Sequence, residues 1–353
     1  MKTFLLLAML VAGTPFTFAQ REWQLPITPA TPNGFPQFGA DGSQQTAYDA
    51  VCDRLIVFGG ISPIDEATVT QETWVLANAS GVNGPPTWIR LHSRNGYPPA
   101  HFRHSAVYDP FTNRMIIFGG TSGPSDGPFL NDVWILKNAN GKLADSARTT
   151  ADCMSDDSRS SDWVQRTPMG GPPDARSQHG AIYDISNNAM TIFFGSNPAG
   201  TQTWSDVLLL LHANDVTNQP IWQLASQTGS VPSPVGHFAI GYDPTFGRVS
   251  LYGGCCGYSN AAFVGKLNPL SFPPTVMWTA LSPSGTPAPA GDVSTFGYDQ
   301  GSEKLVALDI IPGDGANGTW LLSDANGIPE GRPTDAWTNI IAGTTQGVPT
   351  ARL

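Results

Sequence analysis

The chain has 353 residues, a formal charge of −10 and only 13% charged residues. Its 38 Gly and 31 Pro exclude a coiled coil or long-helix protein, because both residues disfavour helix interiors. A hydrophobic share of 40%, with ten Trp and seventeen Phe, excludes a disordered chain. The acidic balance argues against nucleic acid or an anionic membrane as partner, since phosphates need a basic patch.

Residues 1–19 read as a cleavable secretory signal. Lys2 supplies the positive start, Phe4 to Ala12 form an apolar run, and Thr17-Phe18-Ala19 puts small residues at the positions before a cut at Gln20. The run is far shorter than the ~20 residues of a spanning helix, so no membrane span is expected in the mature chain. The expected location is secreted or periplasmic.

Residues 20–38 hold Glu22-Trp23-Gln24-Leu25, which resembles one unpaired outer strand. From there on the sequence repeats. Tyr-Asp recurs at Tyr48-Asp49, Tyr108-Asp109, Tyr183-Asp184, Tyr242-Asp243 and Tyr298-Asp299. Eleven residues after each Tyr stand Gly59-Gly60, Gly119-Gly120, Phe194-Gly195 and Gly253-Gly254, with Asp309 as the exception. Trp88, Trp163, Trp222 and Trp278 each precede the Tyr of the next Tyr-Asp pair by twenty residues, whereas Trp23 precedes Tyr48 by twenty-five. Trp74, Trp134 and Trp320 occupy a second slot, just ahead of Asn78-Ala79-Ser80-Gly81, Asn138-Ala139-Asn140-Gly141 and Asp324-Ala325-Asn326-Gly327.

Each unit reads as four short strands, a to d. In the second, Ser105–Tyr108 is strand a and Asp109–Asn113 is turn chemistry. Met115–Phe118 is strand b, rich in β-branched and aromatic side chains, and Gly119-Gly120 ends it. Asp132–Leu136 is strand c and Asp162–Gln165 is strand d. A four-stranded sheet cannot bury both faces alone. Repetition every ~60 residues therefore predicts an all-β propeller whose blades bury aromatics between neighbouring sheets. The propeller is expected over 39–353, with blades at 39–100, 101–175, 176–234, 235–290 and 291–350. Pro349-Thr350-Ala351-Arg352 resembles the linker Pro173-Asp174-Ala175-Arg176. Together with Trp23 it makes the five visible blades read as an incomplete six-bladed ring; the rival readings are a five-bladed ring with Trp23 outside it and an open arc.

The string Arg103-His104-Ser105-Ala106-Val107-Tyr108-Asp109-Pro110, followed by Asn113 to Gly120 and Asn131-Asp132-Val133-Trp134, resembles a kelch repeat. The long units are similar to those of exported bacterial kelch proteins. The resemblance implies a propeller and is weak for function, because kelch propellers include binding proteins, adaptors and a few enzymes.

In a propeller, b–c loops and d–a linkers gather at one end of the channel, where ligands usually bind. On that face Asp65, Glu66, Asp126, Phe129, Trp204 and Tyr258 are the candidate ligand residues. Trp204 stands out as a tryptophan outside the repeating slots, suited to stack on a sugar face or a peptide side chain. Arg103, His104, Arg176, His179 and His237 sit at strand-a starts and are assigned to the channel, either contacting an anionic ligand or satisfying linker carbonyls. Cys255-Cys256 is open between a vicinal disulfide and two free thiols. Cys52, in an a–b turn, and Cys153, in the long c–d insertion of the next blade, share one end of adjacent blades, so a Cys52–Cys153 bond is expected. No His-Glu-x-x-His, Cys-x-x-Cys, Gly-x-Ser-x-Gly or phosphate loop is present. Metal, cofactor and catalytic residues are accordingly expected to be none.

The leading expectation is an exported non-catalytic binding or adhesion module for a glycan or protein. The alternatives are a kelch-propeller enzyme, either a galactose-oxidase-like oxidase or a sugar epimerase, and a structural propeller in a larger surface assembly.

Overall fold

The computed structural model describes residues 36, 45–62, 68–82, 84–123, 127–142, 153, 161–197, 202–233, 235–254, 259–311, 319–327 and 336–339. They contain strands and turns and no α-helix, and no helix among them is long and apolar enough to cross a membrane. The first blade is β1 (Gln45–Asp49), β2 (Arg54–Phe58), β3 (Thr73–Ala77) and β4 (Thr87–Arg90). The second is β5 (Ser105–Asp109), β6 (Arg114–Thr121), β7 (Phe129–Lys137) and β8 (Asp162–Arg166). The third is β9 (Gly180–Asp184), β10 (Ala189–Phe193), β11 (Val207–Leu211) and β12 (Ile221–Leu224). After β13 (Ser226–Gly229) the fourth is β14 (Ala239–Asp243), β15 (Arg248–Tyr252), β16 (Ala262–Asn268) and β17 (Thr275–Leu281). The fifth is β18 (Asp292–Asp299), β19 (Lys304–Ile311), β20 (Thr319–Ser323) and β21 (Ala336–Asn339).

Every blade is an antiparallel meander in chain order. β1 packs on β5, β5 on β9, β9 on β14 and β14 on β18, so the first strand of each blade is innermost and the five sheets form a β-propeller. The tryptophans set the seams. Trp163 meets Phe58 of the preceding blade at 4.7 Å between ring centroids, Trp222 meets Phe118 at 5.1 Å, Trp278 meets Phe193 at 6.1 Å and Trp337 meets Tyr252 at 4.4 Å. These are rotation-equivalent positions, and all four indoles are buried. Burying one such side chain contributes roughly 1.5–3 kcal/mol.

Two details differ from the sequence reading. The Gly pair does not end strand b in the second blade: β6 runs on to Thr121, with its register to β7 shifting between Phe118 and Gly120. Gly120 has φ +92°, and a Cβ there would come within 2.7 Å of the Phe102 carbonyl oxygen, so the bulge admits only glycine. The payoff is a main-chain bond between blades. Gly60, Gly120, Gly195 and Gly254 N–H donate to His101, Arg176, Val235 and Gly291 carbonyls in the linker entering the next blade. Secondly, linker residues Ser226–Gly229 form β13, which pairs parallel with β17 along the outer edge of the fourth blade.

Polar bolts join the opposite ends of the blades. The Tyr-Asp carboxylates accept from the next blade's c–d turn: Asn140 Nδ2 to Asp49 at 2.6 Å, Asn326 Nδ2 to Asp243 at 3.0 Å, and Asn214 Nδ2 to Asp109. Cys52 and Cys153 form a disulfide at that same end, with Cα atoms 5.3 Å apart.

Candidate functional site

At the b–c loop end, between the second and third blades, a pocket of about 290 Å³ is lined by Phe129, Asp174, Ala175, Asn197, Gln202 and Trp204. Phe129 opens β7, Asp174 and Ala175 belong to the linker between the blades, and the rest lie on the loop between β10 and β11. That loop is a small hairpin of its own. Asn197 N–H donates to the Gln202 carbonyl at 2.9 Å, Gln202 N–H donates to Asn197 Oδ1 at 3.0 Å, and Trp204 N–H donates to the Gly195 carbonyl at 2.9 Å.

Trp204 is held from two directions. Its Nε1–H donates to Asp174 Oδ2 at 3.2 Å, and the Arg176 guanidinium carbon lies 4.8 Å from its ring centroid. Arg176 is only 1% exposed. Its Nη2 donates to Asp206 Oδ2 at 2.9 Å, Nη1 donates to the other Asp206 oxygen and to the Phe194 carbonyl, and Nε donates to the Asp174 carbonyl. The buried, bidentate guanidinium is thus a fixed plate supporting the indole, and such a contact adds about 0.5–2 kcal/mol. The pocket therefore offers two aromatic side chains, one carboxylate and two amides on a preorganised frame. Such a set of groups can stack on and hydrogen-bond to a ligand.

Of the ligand candidates, the structure brings Phe129 and Trp204 together here. Asp65, Glu66, Asp126 and Tyr258 lie outside the described residues, as do Cys255 and Cys256. The residues assigned to the channel divide into two groups. His104, His179 and Arg176 are buried in or beside the seams and do not line the channel cavity. His104 packs edge-on against Phe58 at 5.4 Å, and His179 packs against Phe118 at 5.3 Å with its Nε2 2.8 Å from Ser105 Oγ. The reason is strand alternation: both precede the repeat Tyr by four residues, where Phe238 fills the same slot in the fourth blade. Arg103 and His237 instead join a main-chain belt. Gln178 N–H donates to the Arg103 carbonyl, His237 N–H to the Gln178 carbonyl and Val293 N–H to the His237 carbonyl, at 3.2, 3.1 and 3.0 Å.

Both ring nitrogens of His104 and Nδ1 of His179 are buried without a hydrogen-bond partner. Burial, followed by the nearby His101 and His179, holds His104 well below the ordinary imidazole range, and burial with Arg176 nearby takes His179 down to about 3. Both are neutral in the fold. Their folded values lie below the unfolded value of about 6.5, so stability is full above that pH and declines as pH falls toward 3. Expected is a lower unfolding midpoint at pH 5 than at pH 7.5, with a slope on the order of 1 kcal/mol per pH unit for each such group. His104→Phe, copying Phe238, flattens that slope in denaturant titrations run at several pH values.

The channel itself opens at the a–b turn end as a cavity of about 400 Å³ lined by Tyr48, Tyr108, Tyr183, Tyr242 and Tyr298. Five copies of Tyr in one register are the sequence signal of this shared channel face, which the Tyr-Asp repeat alone does not single out as a lining. Tyr48, Tyr108 and Tyr183 donate their hydroxyls to Asp53, Asn113 and Asn188 of their own a–b turns. Burial pushes the Tyr183, Tyr242 and Tyr298 phenols up, with nearby carboxylates adding to it, so they stay protonated and are poor bases. Among the described residues, no group of three or more His, Cys, Asp or Glu side chains is placed to hold a metal ion.

No family model matches the chain. An 86-residue stretch is 28% identical to dynein regulatory complex subunit 7 of Chlamydomonas reinhardtii, covering 24% of this chain and 7% of that protein. The chain thus spans only a small fraction of that relative's length. The fold is similar to a chain in the cryo-EM structure of RAG in complex with one melted and one unmelted RSS, with a TM-score of 0.54 and 11% identity over 89% of this chain and 86% of that one. At that identity the likeness is one of fold alone.

Proposed function

We propose that this protein is an exported, non-catalytic binding module that takes a glycan in the pocket between the second and third blades. The observation that carries the reading is the Trp204 ring, backed by buried Arg176, beside the Asp174 carboxylate and the Asn197 and Gln202 amides. A pyranose ring has an apolar C–H face that stacks on an indole and equatorial hydroxyls that hydrogen-bond to carboxylates and amides. An aromatic floor with a few placed polar groups matches that chemistry. Export is supported by the leader-like residues 1–19 and by the Cys52–Cys153 disulfide, since disulfides persist in oxidising compartments. The kelch-like repeat is compatible with this role.

A glycan array followed by calorimetry tests the reading. Trp204→Ala is expected to weaken binding of the retained saccharide by about tenfold or more, equivalent to about 1.4 kcal/mol. Its unfolding midpoint should barely move, because the side chain is only half-buried at the rim. Retention of no saccharide by the unaltered protein, or equal affinity in the variant, would overturn the assignment.

A further inference from the structure

The charge and donor balance of the pocket between the second and third blades narrows the kind of saccharide it takes. Asp174 is the charged side chain of the lining. It is exposed, and among the described residues its carboxylate accepts from the Trp204 indole alone. Arg176, beneath that indole, brings no free positive charge to a ligand. It is 1% exposed, its charge is cancelled by the bidentate pair with Asp206, and four of its five N–H groups are engaged. The lining therefore keeps one uncompensated negative charge.

Donors are scarce on the same frame. The main-chain N–H groups of Asn197, Gln202 and Trp204 are spent on closing the loop hairpin, and the indole N–H is spent on Asp174. The side-chain amides of Asn197 and Gln202 can donate, but they are neutral. An acidic or sulfated sugar would set its charge beside Asp174 with no cation to receive it. A ligand that donates, and that carries positive charge, meets the opposite situation. The formal charge of −10 on the whole chain acts in the same direction, drawing cations in and holding anions off.

Resting on the glycan reading above, we infer that the saccharide is a 2-amino sugar with a free ammonium group, such as a glucosamine oligomer, and that Asp174 selects it. The pyranose stacks on the face of the Trp204 indole turned away from Arg176. Its C2 substituent projects from the rim of the sugar ring, toward the indole edge where Asp174 Oδ2 lies 3.2 Å from Nε1. An ammonium at C2 gives Asp174 a charge-assisted hydrogen bond, roughly twice as strong as a neutral one. An N-acetyl group at C2 removes the charge, and a C2 hydroxyl offers a single neutral donor. Trp204 thus recognises the ring and Asp174 recognises what the ring carries.

The test is calorimetry of the full chain at mildly acidic pH, where the sugar amine is protonated. Three β-1,4-linked trisaccharides that differ only at C2 are compared: tri-glucosamine, its fully N-acetylated form and cellotriose. Tri-glucosamine is expected to bind about tenfold more tightly, or better, than either of the others. Asp174→Asn keeps the size of the side chain and an oxygen for the indole N–H, and should bring tri-glucosamine down to the level of cellotriose. Because Asp174 is exposed, the unfolding midpoint of that variant should match the unaltered protein. Equal affinities for the three sugars, or a preference that survives in Asp174→Asn, overturn the ammonium assignment and leave the glycan reading standing. Binding of none of the three overturns it as well, and the glycan array then decides whether the broader reading falls with it. Trilysine, which carries ammonium groups without a pyranose, should bind about tenfold more weakly than tri-glucosamine. Equal binding of trilysine would mean that a cation alone suffices, and would overturn the sugar assignment.

Discussion

Trp278→Ala lowers the free energy of unfolding by about 3–5 kcal/mol, measured by urea titration with intrinsic fluorescence and circular dichroism in parallel. Trp278 is 2% exposed and lies within 6.1 Å of Phe193 and 5.9 Å of Phe194, ring centre to ring centre. The indole Nε1–H donates to Gln227 Oε1 at 2.9 Å, which ties the ring to β13 as well. Truncation removes the apolar burial, opens a cavity in a seam that rigid sheets cannot close, and frees the amide of Gln227. Trp88→Ala is the comparison, because the same repeat slot is there half-buried. Its cost is expected to be clearly smaller, and equal costs would contradict the seam energetics argued above.

Removing the disulfide has an effect of similar size. Cys52 and Cys153 are 101 residues apart in sequence, and closing a loop that long reduces the freedom of the unfolded chain by about 4–5 kcal/mol in the chain-entropy account. The Cys52→Ser/Cys153→Ser variant should lose about that much, with the loss largely reproduced in unaltered protein under reductant. The crosslink binds the a–b turn of the first blade to the c–d insertion of the second, across a seam already joined by Asn140 and Asp49. A loss below 1 kcal/mol would mean that the unfolded chain keeps those two blades together without the bond.

The frame was legible because it rests on spacing. Trp163, Trp222 and Trp278 at twenty residues before a Tyr needed no knowledge of contacts to imply equivalent seams, and the end of the blade on which each loop falls paired Cys52 with Cys153. Other features depend on which way a side chain points or where backbones cross. His104 and His179 begin strand a, so they looked axial. The pleat turns them back into the preceding seam, and Phe238 in the fourth blade was the hint. Gly119-Gly120 looked like a strand end because glycine weakens strands, yet the pair lies within a bulge that approaches the incoming linker. β13 was hidden in Ser226–Gly229, whose polar residues carry no strand signal and are ordered by their partner β17. At the pocket, Phe129 and Trp204 were singled out from composition and loop position. Arg176 had been assigned to the channel, because only the folded linker shows it lying beneath the indole.

The belt through Arg103, Gln178, His237 and Val293 is made wholly of peptide groups. Its hydrogen bonds need no particular side chain, and Arg, Gln, His and Val succeed one another there, although the left-handed φ of 54°, 59° and 48° at Arg103, Gln178 and His237 disfavours β-branched residues at those three. The loops that rise just beyond it are free to accept substitutions and insertions over generations, since the hub they stand on does not register the change. Selection can retune what the rim recognises while the wheel beneath stays the same.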